Sequence, residues 1–272
     1  EYEELYHAIS TQAPDDLARE LSISEDKAEL LLPTAMIYHN IFEETDAEFM
    51  WLSGITICDG MAADFAECKE HIVPAHPFSD DIISVSRKLA ERFCCDTEHI
   101  HQVEIAALKL FDALRKANHL TKKDRLLLQI AAILHNCGSF LNLNDIGENS
   151  YKIVTSTEII GLSHQERMIV AYVIRYTTGD FPEYSEIKNE FSREEYIKIA
   201  KLNAILCLAD AMDRSHQQKF TNFTVRKRGY DLTITGQTLY DITLEHGMFI
   251  QKSPFFEEAF GIRPVLRQKK CL

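Results

Sequence analysis

From Leu126 to Leu134 the chain reads Leu-Leu-Leu-Gln-Ile-Ala-Ala-Ile-Leu, and Gly138 breaks the run two residues past the His135-Asn136 pair. A helix this apolar on several faces must be covered by other elements, so it sets the interior of the domain around it. Thr121 and Asp124 are spaced to open it as a reciprocal cap. The helix therefore delivers a histidine to its buried inner end.

The flanking sequence supplies covering helices. Ile82 to Phe93 is one. His99 to Leu114 is another, with Val103, Ala106, Ala107, Leu110 and Phe111 on one stripe and His99 four residues before Val103 on the same side. Ser163 with Glu166, and Ser192 with Glu195, match the capping box and start helices through Ile174 and from Tyr196 to Met212. The last carries Asp210 and Asp213 near its end, before Arg214-Ser215-His216; Asp213 and Arg214 are expected in an ion pair or helix-end contacts. Asn142 to Ser150 reads as a polar loop and Tyr151 to Ile160 as a helix.

Toward the beginning, residues 3–21 read as helical, and Ser24 caps a helix through Leu30, Leu31 and Ile37 that Pro33 should kink or break. Glu48 to Leu52 and Ile55 to Ile57 read as extended, and Met61 to Cys68 as a short helix, which suggests the edge of an α/β domain. Residues 71–79, with two prolines, form a linker. In the tail, Phe223 to Val225, Asp231 to Thr235 and Tyr240 to Leu244 alternate as a small antiparallel sheet. Phe255 to Phe260 adds a helix and Pro264 to Arg267 a strand. The expected domains are 1–70, 78–216 and 217–272.

A net charge of −13 argues against broad binding to nucleic acid or an anionic membrane. No apolar run approaches the roughly 20 residues of a membrane helix, and no signal peptide opens the chain. Seven cysteines without a Cys-x-x-Cys fit reduced thiols and a cytoplasmic setting, with Cys94 and Cys95 structural. The chain opens on Glu, as a processed or truncated piece would.

Several segments together resemble the C-terminal portion of the exopolyphosphatase and guanosine pentaphosphate phosphohydrolase (Ppx/GppA) family. They are Leu32-Pro33, Leu110-Phe111-Asp112, Ala131 to His135, Ser150 to Ile153, Glu158 to Arg167, Arg175-Tyr176, Ala209 to His216, Leu244-Glu245 and Phe255 to Gly261. The resemblance implies a mainly α fold: an HD-like helical domain, preceded by the edge of an actin-like α/β lobe and followed by a small α+β closing domain. It places the phosphate-cradling loops and catalytic carboxylate upstream, in an Mg-dependent parent enzyme. This chain has ten glycines and no Gly-Gly-Gly-Ser. Thr56-Ile57-Cys58-Asp59-Gly60 stands where the family reads Gly-Leu-Arg-Glu-Gly.

In the HD superfamily adjacent His and Asp ligate a metal; here the pair is His135-Asn136. His99, His135 and Asp210 match metal positions, while Gly147, Asn149 and Thr177 replace histidines. The expectation is a degenerate site without metal, His99 and His135 being hydrogen-bonded core residues. His71, His76 and His119 are expected at the surface. Weak substrate-binding candidates are Lys122, Lys123, Arg125, Arg214, Arg226 and Arg228, with Arg263, Arg267, Lys269 and Lys270 as a further basic cluster. The leading function is a non-catalytic, substrate-binding or dimerising part of a hydrolase acting on polyphosphate or guanosine pentaphosphate. An independent HD-type metal phosphohydrolase and an interaction or sensory module are the alternatives. No cofactor is expected in this chain, and a homodimer is among the expected partners.

Overall fold

The computed structural model describes residues 2–45, 47, 49–50, 54, 56–68, 78–115, 120–220 and 222–269. It divides into two compact units, Glu1–Pro74 and Ala75–Leu272. Half of the residues in the extended segments expected at 48–52 and 55–57, residues 71–77 of the linker expected at 71–79, His71, His76, His119 and Lys270 lie outside the described residues, while Phe78 and Ser79 open a helix instead.

In the first unit the regular structure among the described residues is helical: α1 Tyr2–Thr11, α2 Pro14–Glu20, α3 Glu25–Glu29, α4 Leu31–Glu43 and α5 Ile57–Cys68. The single helix expected over 3–21 is two, because Pro14 starts α2 at its first position, where the missing N–H costs nothing. Ser24 does precede α3, but its side chain accepts no cap bond. The break expected near Pro33 falls at Leu30, and Pro33 then sits in the first turn of α4. A proline ring collides with the carbonyl four residues earlier, so the helix restarts just before it. Ile57, expected to be extended, opens α5 instead. A small core of Ile9, Leu17, Ala18, Ala28 and Ala35 joins α1 to α4.

The second unit is organised on α8 (Lys122–Leu134). Its residues Leu127, Leu128 and Ile130 to Leu134 are essentially inaccessible. Around it pack α6 (Phe78–Arg92), α7 (Thr97–Leu114), α10 (His164–Arg175) and α12 (Arg193–Ala211). The three expected capping boxes, at Thr121, Ser163 and Ser192, all form. The segment read as a polar loop is partly helical: α9 spans Ile146–Ser156, following Asp145 in the left-handed region. The short α11 covers Tyr184–Ile187.

The closing sheet has the order β1 (Asn222–Arg228), β2 (Asp231–Gln237), β3 (Arg263–Lys269). β1 and β2 are antiparallel, but β2 and β3 are parallel, joined through α13 (Thr243–Phe260). Tyr240 to Leu244 is therefore no third strand, and the helix expected at 255–260 is three turns longer at its start. Pro254 inside α13 conceals that continuity in the sequence. Phe223, Leu232, Ile234 and Leu266 meet Phe249, Phe256 and Phe260 in the same continuous core that contains α8. Among the described residues no helix is long and apolar enough to cross a membrane.

Candidate functional site

The inner end of α8, the first turn of α7 and the last turn of α12 converge. They bring His135, His99 and Asp210 together, each offering a ligand atom within 4.8 Å of the others. His99 is 1% exposed and His135 4%. Their Nε2 atoms face one another at 3.2 Å. Asp210 Oδ1 lies 3.3 Å from the first and 3.6 Å from the second.

The outward nitrogens are both committed. His135 Nδ1 donates to the Ala132 carbonyl at 2.8 Å, and His99 Nδ1 donates to the Asp213 carboxylate at 2.9 Å. Two neutral rings anchored this way would aim lone pair at lone pair across the gap, so a positive charge must lie between them. A proton on His99 Nε2 supplies it. Burial pushes the His99 pKa down, but hydrogen bonds to Asp210 and Asp213 outweigh this and raise it to about 9. Burial acts to raise the Asp210 pKa, yet the two imidazoles beside it, with the proton carried on His99 Nε2, hold it far below the usual carboxylate range. Metal-free, the cluster is thus fully satisfied.

The same atoms also fit one divalent ion: two imidazole nitrogens, one carboxylate oxygen, and an outer partner fixing each ring. Asp213 supplies in the outer layer the second negative charge that Asn136 lacks. At Gly147 a further imidazole has no room. A Cβ at Gly147 would strike the Arg175 carbonyl and come within 2.9 Å of Thr178 Oγ1, so glycine here lets α9 close onto the end of α10. Asn136 is half-buried and precedes a short 3-10 helix, Cys137–Phe140, its carbonyl accepting from the Ser139 N–H and hydroxyl. Thr177 folds back onto the Ile174 carbonyl.

Sequence reasoning missed two members. Asp213 is a buried partner of His99 that also accepts from Gln218 N at 2.7 Å. His216 stacks on His99 with centroids 3.6 Å apart and bonds Asp96, the N-cap of α7. The spacing Asp210, Asp213, His216 along one helix end was the available signal. Arg214 reaches Asp210 Oδ2 at 3.6 Å from the surface side.

The basic candidates separate into engaged and free groups. Lys123 pairs with Glu166, and Arg125 holds Asp112 through two bonds of 2.9 and 3.1 Å. Lys122 borders a shallow cleft beside Arg115 and Asp80. On the solvent face of the sheet the register sets Arg226 against Thr233 and Thr235 against Arg267, with Arg228 and Lys269 at the corners. Asp231 shares this face, and its carboxylate is held by Arg263 at 2.9 Å. No carboxylate among the described residues pairs with Arg226, Arg228, Arg267 or Lys269. Two troughs, of about 400 and 200 Å³, run across this face.

The chain is thus mainly helical, buries a His–His–Asp cluster and ends in a mixed sheet with a cationic outer face. Residues 83–251, from α6 into α13, match the family model described as Ppx/GppA phosphatase, domain III, and the chain belongs to that family. This aligns it with exopolyphosphatase-like hydrolases. No curated protein matches the chain.

Proposed function

We propose that this chain is a non-catalytic, substrate-holding portion of an exopolyphosphatase-like hydrolase, and that it grips a phosphate chain on the outer face of β1–β3. The supporting observation is the exposed set Arg226, Arg228, Arg267 and Lys269 around Thr233 and Thr235, none of them paired with a carboxylate among the described residues, in a chain whose net charge is −13. Guanidinium forks bind phosphate oxygens in pairs, and threonine hydroxyls between them donate to the remaining oxygens. An open face of this kind accepts a polymer of any length.

Titration with polyphosphate at low and high ionic strength tests this. Arg226→Ala and Arg267→Ala should each weaken low-salt binding roughly fivefold, about 1 kcal/mol. Binding that survives about 0.5 M salt, or is indifferent to both changes, would overturn it. The chain with Mg²⁺ should release no phosphate from polyphosphate or guanosine pentaphosphate.

One observation favours a second reading, a metal-dependent phosphohydrolase: the convergent donors of His99, His135 and Asp210 with their outer partners. A divalent ion there would supply Lewis-acid polarisation of a phosphoryl group. Stoichiometric Mn²⁺ or Zn²⁺ uptake that disappears in His135→Ala, together with hydrolysis of a simple phosphodiester, would establish it over the first.

A further inference from the structure

Cys95 and Cys137 are 42 positions apart in sequence, yet their sulfurs are hydrogen bonded at 3.4 Å inside the second unit. We propose that they are a site of reversible oxidation, closing into an intramolecular disulfide by exchange with a small-molecule disulfide of the glutathione type.

Both sulfurs are held in place by backbone devices on separate elements. α6 ends in a Schellman arrangement: Cys95 N–H bonds the Ala90 carbonyl at 3.0 Å and Cys94 N–H the Glu91 carbonyl at 2.9 Å. Cys94 takes the left-handed position that this motif requires, with φ +49°, which turns Cys95 inward. Cys137 opens the 3-10 helix that follows His135. That helix is fixed by a 2.7 Å bond from Gly138 N–H to the Ser150 hydroxyl. A disulfide needs about 2.05 Å, so the sulfurs must approach by only about 1.4 Å. Two thiols fixed this near each other react as an intramolecular pair.

The two sulfurs are also unequally placed. Cys95 is 7% exposed and adjoins the exposed Cys94, while Cys137 is wholly enclosed. Cys95 is therefore the attacking sulfur and Cys137 the resolving one. The Cys95 thiolate attacks the small disulfide, forming a mixed disulfide and expelling one small thiol. Cys137, losing its proton, displaces the second. Two protein thiols lose two electrons and two protons, and the small disulfide is reduced to two thiols. The new bond would tie the residue before the α7 cap, Asp96, to the segment just beyond His135, bracketing the histidine cluster.

The test incubates the folded chain with oxidised glutathione, blocks remaining thiols with an alkylating reagent and maps peptides by mass spectrometry. A Cys95–Cys137 cross-linked peptide is expected, lost on adding dithiothreitol. It should be absent in Cys137→Ser and retained in Cys94→Ser. Oxidised wild-type chain should melt higher by about 5 °C, because the link closes a long loop in the unfolded chain. Full alkylation of both residues after oxidation, a reaction that stops at the mixed disulfide, or a cross-link through Cys94 instead would each overturn the proposal.

Discussion

His99 contacts two carboxylates through opposite ring nitrogens, Asp213 at 2.9 Å and Asp210 at 3.3 Å, so the orientation of the ring depends on both. Asp213 is fully buried and accepts bonds from His99 and Gln218; its removal strands a buried cation and a backbone N–H together. Asp213→Ala should cost about 3–5 kcal/mol, as losing one member of a buried pair does. Arg214→Ala, which deletes a side chain 43% exposed and 3.6 Å from Asp210, should cost under about 1 kcal/mol. Urea melts at constant m separate the two, and equal losses would mean that Asp213 does not hold the ring. His99, His135 and Asp210 were legible in the sequence through the resemblance to the HD pattern, whose metal positions they match. Asp213 was legible only as an ion-pair or helix-end residue, because the partner that joins it to the cluster, His99, is 114 residues away.

At the scale of elements, what the sequence disclosed were the helices with strong local punctuation: α8, α10 and α12 each begin at a reciprocal cap. The parts it concealed depend on partners distant in sequence. The parallel pairing of β3 with β2 is set by α13, whose Pro254 and Gly247 disguise one helix as a turn and a short piece. Close approach of backbones is equally invisible. A Cβ on Gly138 would meet the Ile146 carbonyl and lie 2.5 Å from Ser150 N, where the 3-10 helix docks on α9. Gly138→Ala should therefore destabilise by at least about 2 kcal/mol, although the residue needs no unusual φ. Calorimetry checks this, and a neutral result would show that α9 can retreat. α13 is anchored by Glu245, which is buried and accepts from Ser215 N–H and hydroxyl and from Lys219 Nζ at 3.1 Å. Burial acts to raise its pKa, but the Ser215 and Lys219 bonds prevail and leave it lowered. Its contribution is thus present above the ordinary glutamate value of about 4.5 and is lost as pH falls through the lower folded value. Glu245→Gln should reduce stability near neutrality by about 1–3 kcal/mol and flatten the loss on acidification below pH 4.5. Parallel wild-type and mutant curves between pH 3 and 6 would count against this anchor.

For the whole molecule, the two units differ sharply in how they are held. The second has one continuous core running from α6 to β3, in which the inner halves of α8 and α12 are buried. The first, among its described residues, buries Ile9, Leu17 and three alanines, while Leu30, Met36, Ile37, Ile41, Ile57 and Met61 remain exposed. Alanine contributes little apolar area, so such a core does not offset the chain entropy of several helices. Opening of the first unit should consequently cost far less than opening of the second. Limited proteolysis should cut within residues 1–77 first and leave a product beginning near Phe78. That product, or a chain expressed from residue 78 onward, should melt within about 3 °C of the full-length chain, since no residue of the α8 core is lost. It should also keep the salt-sensitive polyphosphate affinity, because every residue of the cationic sheet face lies beyond Lys219. A melting point lower by about 10 °C or more would show that the helical domain depends on the first unit for its stability. Retained stability with lost affinity would instead place phosphate binding in residues 1–77 and overturn the assignment to β1–β3.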